Sequence, residues 1–342
     1  MNGRKYMSTS YTATVVSFDP DPVISYQDGL SAFAQAFNPS WVEASESTGG
    51  AAGLLVRVQN CSAAAAGVCD ACYGQGKQAS KIAFARFIDD LPHPRFSKID
   101  DASLVFMPHD ATDDYGTEDP RILRDPATGF YYMFYTCFNS GHAAVPRISL
   151  CLATTRNPTV RGGWERHGYV GLGENSKSGA LLMGNDRREH LLFWGAGTIH
   201  LSRSTNLSSW PAGEPFLTNT SWGNPHVESG PPPMPLSTGD FIFFINSWSA
   251  TFPAAPGYQP AWVVLSGNDP TKVVAHADKA LWSPQRAAWM EGSAPALCNV
   301  PNVAFLEAAH PTGRKDEFRV YFGGADAVVG SAVVRIDSRE IR

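Results

Sequence analysis

The densest chemistry in this chain is the run Gly116-Thr117-Glu118-Asp119-Pro120-Arg121-Ile122. Glu118 and Asp119 are adjacent acids, and a guanidinium follows two residues after Asp119. A carboxyl beside a cation can work as a general acid or base. Equally, it can be the salt-bridged cap of a turn. Pro120 fixes its own φ and biases Asp119 away from helix. Burial and the neighbouring acid would raise one carboxyl pKa while Arg121 would lower it, so these residues alone give no net direction. Cys61, Cys69 and Cys72 place a C-x-x-C beside a third cysteine, but no fourth zinc ligand is near in sequence. Disulfides fit the even count of 6 cysteines better. Cys137 and Cys151 end and begin two adjacent strand-like runs and are placed to pair across a hairpin. No other metal-ligand cluster, Gly-rich phosphate loop or Ser/His/Asp arrangement emerges, so no metal or cofactor is expected.

The elements that must position these residues read as strands. Of 342 residues, 43% are hydrophobic and only 17% charged, with 31 Gly, 25 Pro, 9 Trp, 11 Tyr and 19 Phe. Such turn-rich, aromatic-rich composition suits many short strands. The net charge of −5 argues against a general electrostatic nucleic-acid binder, and no apolar run is long enough to span a membrane. Aromatic or β-branched runs recur at 54–59, 130–137, 191–197, 241–248 and 318–326. A second run follows each, at 80–85, 147–153, 198–202, 261–265 and 330–334. A supersecondary unit repeated at tens of residues, with room for about four strands each, predicts propeller blades. The expectation is an all-β, five-bladed β-propeller. Residues 36–342 are expected to form that single propeller domain, and 1–35 an N-terminal extension or ring-closing strand. A helical turn or two fits 29–37. Sequons at Asn60, Asn206 and Asn219, with the cysteines, favour a secreted or lumenal glycoprotein. The N-terminus lacks an apolar leader, which leaves the cytoplasm open.

A propeller brings the innermost strand of every blade to one funnel, where acids from distant segments meet as glycosidic cleavage requires. Aromatic faces there can stack on sugar rings; Tyr135, Trp194, Trp248 and Trp262 are candidates. The 116–122 run, followed by Gly129-Phe130-Tyr131-Tyr132-Met133-Phe134-Tyr135-Thr136, resembles the signature of glycoside hydrolase family 130, the β-mannoside phosphorylases and β-mannosidases. Further similar segments follow in order: Asn38-Pro39-Ser40, 53–59, Lys177-Ser178-Gly179-Ala180-Leu181, Glu228-Ser229-Gly230-Pro231-Pro232, Asn299-Val300-Pro301-Asn302 and 321–326. The resemblance spans about residues 38–336.

The resemblance implies a five-bladed propeller and an inverting enzyme acting on an oligosaccharide or glycan. It implies that Asp119 is the catalytic acid, its proton relayed through a hydroxyl of the bound mannose. Arg57, Arg121 and Lys177 are then cations that hold phosphate or neutralise the acids of the funnel. Glu118, His226 and Asp326 are further substrate-binding candidates. The chain departs from the phosphorylase pattern at 243–248, where Ile245 or Asn246 stands in place of a phosphate-binding His. The Pro233-Met234-Pro235-Leu236 segment lacks an expected basic residue. A phosphate dianion needs several cations or N–H donors, so these losses favour water as nucleophile. Hydrolysis needs a general base, for which Glu228 and Glu291 are candidates. A phosphorylase with inorganic phosphate as co-substrate is the alternative. Others are a propeller glycosidase acting on arabinosides, xylosides or fructosides, and a non-catalytic carbohydrate-binding propeller. Asp125, which superficially resembles a fructosidase acid, is expected to serve its own turn.

Overall fold

The computed structural model describes residues 8–60, 80–141, 145–184, 189–249, 257–292 and 300–341. Cys61, Cys69, Cys72 and Cys298 lie outside these. After β1 (Ser8–Phe18), the first sheet is built from β2 (Gln35–Val42), β3 (Gly53–Gln59), β4 (Lys81–Asp89) and β5 (Arg95–Phe96), with β6 (Leu104–Phe106) also paired to β4. The second holds β7 (Gly116–Arg124), β8 (Tyr131–Phe138), β9 (Ile148–Thr155) and β10 (Glu165–Tyr169). The third holds β11 (Ala180–Leu182), β12 (His190–Trp194), β13 (Ile199–Ser204) and β14 (Glu214–Leu217). The fourth holds β15 (His226–Ser229), β16 (Met234–Pro235), β17 (Phe241–Ser249), β18 (Gly257–Leu265) and β19 (Val273–His276). A short helix, α1 (Ala288–Glu291), precedes the fifth sheet of β20 (Ala304–Pro311), β21 (Glu317–Gly324) and β22 (Val328–Ile341). β1 completes that last sheet by pairing with β22.

The result is a five-bladed β-propeller. The five aromatic runs seen in the sequence are β3, β8, β12, β17 and β21, the second strand of each blade, and the runs that follow them are the third strands. Second strands lie between neighbouring blades and are covered on both faces, so they read as near-continuous apolar runs. Every residue of β3 and β21 is buried. The core accordingly forms wedges between adjacent blades. Phe193 of the third blade meets Phe243 of the fourth with ring centroids 4.9 Å apart. Leu54 and Val56 of the first pack with Tyr321 and Val329 of the fifth.

The helical turn expected over 29–37 does not form. Gly29 takes a φ of +76° in a turn, and Ala36 and Phe37 are already in β2, paired with Val58 and Arg57. Strand pairing and burial override weak helix propensity there. Cys137 and Cys151 do form a disulfide, between β8 and β9. Asp125 serves its turn, accepting from Ala127 N and Thr128 Oγ1. Among the described residues, no helix is long and apolar enough to cross a membrane.

Candidate active site

The inner strands β2, β7 and β20 pack on one another, and each carries a bulge. The register slips after Phe37, after Glu118 and after Leu306, and the irregularities hold Asn38, Asp119 and Glu307. A bulge re-aims the extra side chain relative to the strand. Asn38 and Asp119 adopt φ of +47° and +48°. Both precede proline, which ordinarily favours extended backbone. Asn and Asp are the side chains that tolerate the left-handed region best, and the surrounding bonds hold them there.

Those bonds define the site. Asn38 Nδ2 donates to Asp119 Oδ1 at 2.9 Å. Arg57, on β3 with its guanidinium 4.7 Å from the Phe37 ring centroid, forks between two acids. Its Nη1 is 2.9 Å from Asp119 Oδ1 and its Nη2 2.8 Å from Glu118 Oε1. Arg121, only 1% exposed, sits beneath. Its Nε donates to Gly230 O at 3.2 Å, its Nη2 to Ser229 O at 3.0 Å and its Nη1 to Asp119 O at 3.0 Å. The same Nη1 is 2.8 Å from Glu307 Oε1. One side chain thus joins three blades.

A second cluster surrounds Glu228, fully buried on β15. Its Oε1 accepts from Tyr258 Oη at 2.6 Å and lies 3.1 Å from His226 Nε2. Its Oε2 accepts from Ser178 Oγ at 2.9 Å and lies 3.3 Å from Lys177 Nζ. His226 and Glu228 therefore share one face of a strand, as their spacing predicts.

Burial alone would raise the pKa of Asp119, but Arg57, Lys177 and Arg121, with the Asn38 hydrogen bond, outweigh it and hold the carboxyl below its ordinary range. Burial likewise opposes ionisation of Glu228, yet Lys177 and three hydrogen bonds bring it down to about 2. Glu228 in turn raises Lys177. Asp326, at φ +51° in the turn between β21 and β22, is pushed up to about 6 by burial, opposed by Arg57 and reinforced by Asp119. Counting Glu307, five carboxyls and three cations face one another here. Among the described residues no group of acids, His and Cys could hold a metal ion.

The family model for β-1,4-mannooligosaccharide phosphorylases matches residues 73–341. The chain belongs to glycoside hydrolase family 130. Enzymes of family 130 are glycoside phosphorylases and hydrolases acting on β-mannosides, and this chain is one of them. A 1,2-β-oligomannan phosphorylase from Thermoanaerobacter sp. (strain X514) is 29% identical over 264 residues, covering 76% of this chain and 80% of its own. The β-1,2-mannobiose phosphorylase from Listeria innocua, solved with β-1,2-mannobiose, superposes with a TM-score of 0.70 at 16% identity, over 94% of this chain and 96% of its own. A structure from work on family 130 hydrolases that target β-1,2 mannosidic linkages in Candida mannan gives 0.68 at 21% identity, over 94% of each chain. The two superpositions speak to the fold alone.

Within this family 130 propeller, the network contains Asp119, Glu118, Arg57, Arg121, Lys177, His226 and Glu228, and Asp326 faces it. Glu291 is different. It lies exposed at the end of α1, outside the group of buried acids. Of the candidate stacking rings, Tyr135 and Trp262 are core, and Trp194 is buried against His200. Trp248 is part-exposed, 5.8 Å from the His226 ring. Sequence reasoning missed Asn38 as a bonding partner, Tyr258 and Glu307. Glu307 had a signal: it is the lone charge in the apolar run Val303-Ala304-Phe305-Leu306-Glu307-Ala308-Ala309, and an acid there must be buried with a partner.

Gly230 shows how tightly the blades close under the site. A Cβ there would lie 2.6 Å from Phe244 O and 3.0 Å from Leu306 O, backbone on both sides. Gly230→Ala is therefore expected to destabilise the protein by about 1–3 kcal/mol, the usual cost of overpacking. It should also cut activity by displacing the carbonyl that Arg121 bonds. Thermal unfolding alongside a mannoside assay checks both, and an unchanged melting temperature would contradict the packing argument.

Proposed function

We propose that this protein hydrolyses β-mannosidic linkages in an oligosaccharide or glycan, with inversion at the anomeric carbon. The observation that carries the reading is charge matching. Arg57 is held by Glu118 and Asp119, Arg121 by Glu307, and Lys177 by Glu228. Among the described residues, a phosphate dianion entering this site would meet five carboxyls and three cations, each cation already beside an acid. Phosphate desolvated without matching charge is costly, whereas water needs no such compensation. Asn246, which stands near the position of the phosphorylase His, is buried and engaged with the Leu306 backbone, donating to its O at 2.9 Å and accepting from its N at 2.7 Å.

Asp119 supplies the proton, through a hydroxyl of the bound mannose, to the glycosidic oxygen as the C1–O bond breaks. A water on the opposite face forms the new C1–O bond and gives its proton to Glu228. At rest Glu228 is a weak base because four donors surround it. His226 and Lys177, the part-exposed donors, are the two that a sugar and water would displace, returning basicity to the carboxylate. His226 and Trp248 are then placed to contact the sugar, as is Asp326. Phosphorolysis is the alternative, favoured by the name of the Thermoanaerobacter relative.

The test is cleavage of β-1,2- and β-1,4-mannobiose with and without inorganic phosphate. Free mannose should appear at the same rate in both buffers, first as the inverted anomer by NMR. Mannose 1-phosphate that forms only when phosphate is present would overturn hydrolysis.

A further inference from the structure

Beyond Asn38, Asp119 and Glu228, the chain continues along β2 and β7 and out of β15 to a second cavity, of about 230 Å³, which β20 also lines. Its rim is apolar and includes Trp41, Pro231, Pro233, Met234 and Pro311. Trp41 is fixed there by the His310 ring stacked on it, with centroids 3.9 Å apart. Polar groups on the lining are short of partners. Glu307 is 0% exposed, and neither of its carboxyl oxygens receives a hydrogen bond from a described residue. Arg124 Nε is buried and has no hydrogen-bond partner among the described residues. Ser40 Oγ accepts from Ile122 N at 3.0 Å and keeps its own proton to donate. Buried polar atoms left in this condition are costly, and native proteins rarely keep them without a use.

We propose that this cavity is a second binding site, separate from the catalytic funnel, and that it takes a single neutral sugar ring. Apolar walls with a few placed polar groups are the usual make-up of a small-molecule site. The volume falls below the about 300–1,000 Å³ of pockets for drug-sized ligands, so one ring fits and a longer glycan does not. Charge selects a neutral ligand. An anion would face Glu307 and Glu43, which also lines the cavity. A cation would face Arg124 and the Arg121 guanidinium, 2.8 Å from Glu307. Burial pushes the Glu307 carboxyl well above the ordinary range while Arg121 pulls it back. A hydroxyl suits either form, since it accepts from the protonated acid and donates to the ionised one. Other hydroxyls can accept from Arg124 Nε and Ser40 Oγ. The C–H face of the ring then packs on the prolines and Met234. Glu307 borders both this cavity and the funnel, but the funnel's substrate-facing residues, Asp119, Glu228, His226 and Asp326, do not line the cavity.

The probe is D-mannose, the sugar of this family's substrates, titrated by calorimetry into wild type, Ala309→Phe and Arg124→Met. Inhibition of aryl β-mannoside cleavage by the same mannose reports the funnel separately. Ala309 is part-exposed and lines the cavity, so Ala309→Phe puts a ring where the sugar would sit. Arg124→Met keeps the aliphatic stem and removes the donors. Wild type should bind two mannose molecules per chain and Ala309→Phe one. Arg124→Met should weaken the second by about tenfold, the usual worth of a hydrogen bond from a charged group. In both variants kcat/KM and the inhibition by mannose should stay within about twofold of wild type. No more than one mannose on wild type would overturn the proposal, as would a second that both variants keep. So would a loss of calorimetric binding matched by an equal loss of inhibition, since that mannose would lie in the funnel. If Ala309→Phe does not fold, Arg124→Met decides, and unchanged affinity for the second mannose counts against the site. A wild type that fills the cavity but cleaves no mannoside would instead sink the functional reading and leave this one standing.

Discussion

Asp119→Asn should lower kcat/KM on mannobiose by about 10²–10⁴, the usual worth of a positioned general acid. The substitution isolates chemistry from folding for a structural reason. Asp119 sits at φ +48° on the β7 bulge, a conformation that Asn tolerates and most other side chains do not. Its amide oxygen can still accept from Asn38, and Arg57 keeps Glu118 at 2.8 Å. Asp119→Ala would lose activity too, but would add backbone strain and take one acid away from Arg57, so its result would be ambiguous. Initial rates of mannose release, with thermal unfolding as the control for folding, give the answer. Activity within tenfold of wild type would remove Asp119 from the role of acid.

Glu228→Gln carries the second large effect, and it falls on stability as well as turnover. With a folded-state pKa of about 2 against an ordinary 4.5, the carboxylate contributes about 3 kcal/mol, from roughly 1.4 kcal/mol per unit. The sign follows from the depressed value. The contribution is fully present above about pH 4.5 and is lost as pH falls through about 2. The Gln variant should therefore melt well below wild type at pH 7, and the gap should close on acidification. Asp326, raised to about 6, works in the opposite sense and destabilises the fold as pH rises from 3.8 to 6. It is common to both proteins and cancels in the difference. Hydrolysis should be lost at every pH. Equal melting temperatures at pH 7 would mean that Lys177, Ser178, His226 and Tyr258 do not stabilise the ionised form.

The architecture was legible because second strands of propeller blades are covered on both faces, and so leave uninterrupted aromatic and β-branched runs such as 130–137 and 241–248. The site was legible where a local motif marks it, as at Glu118-Asp119-Pro120-Arg121. What the residues alone left open was how cations and acids pair. Arg121 is two positions from Asp119, yet its guanidinium meets that residue's carbonyl and the carboxyl of Glu307. That pairing depends on two bulges, and register irregularities have no sequence mark beyond Asn38-Pro39 and Asp119-Pro120. Tyr258 was missed for the same reason, because its value lies in a partner 30 residues away on another strand of the blade. Glu291 attracted notice only as an acid beside glycine, a weak pattern that a solvent-exposed helix end satisfies equally well.

The pairing of β1 with β22 sets Ser8 opposite Ile341 and Phe18 opposite Ala332. β1 leaves the ribosome before β2–β22 and is thus among the last of these strands to find its partner, because translation runs from the N-terminus. Until then, blades one to four can assemble from local hairpins, but the fifth lacks its outer strand and β1 carries an unsatisfied edge. Closing a loop of that length costs entropy that local contacts cannot offset early. Asn38 and Arg57 from the first blade, Asp119 from the second and Glu307 from the fifth meet only when the circle is complete. Catalytic competence should therefore emerge late in refolding, after most strand signal has returned, and chains released before residue 332 should be inactive however much sheet they contain.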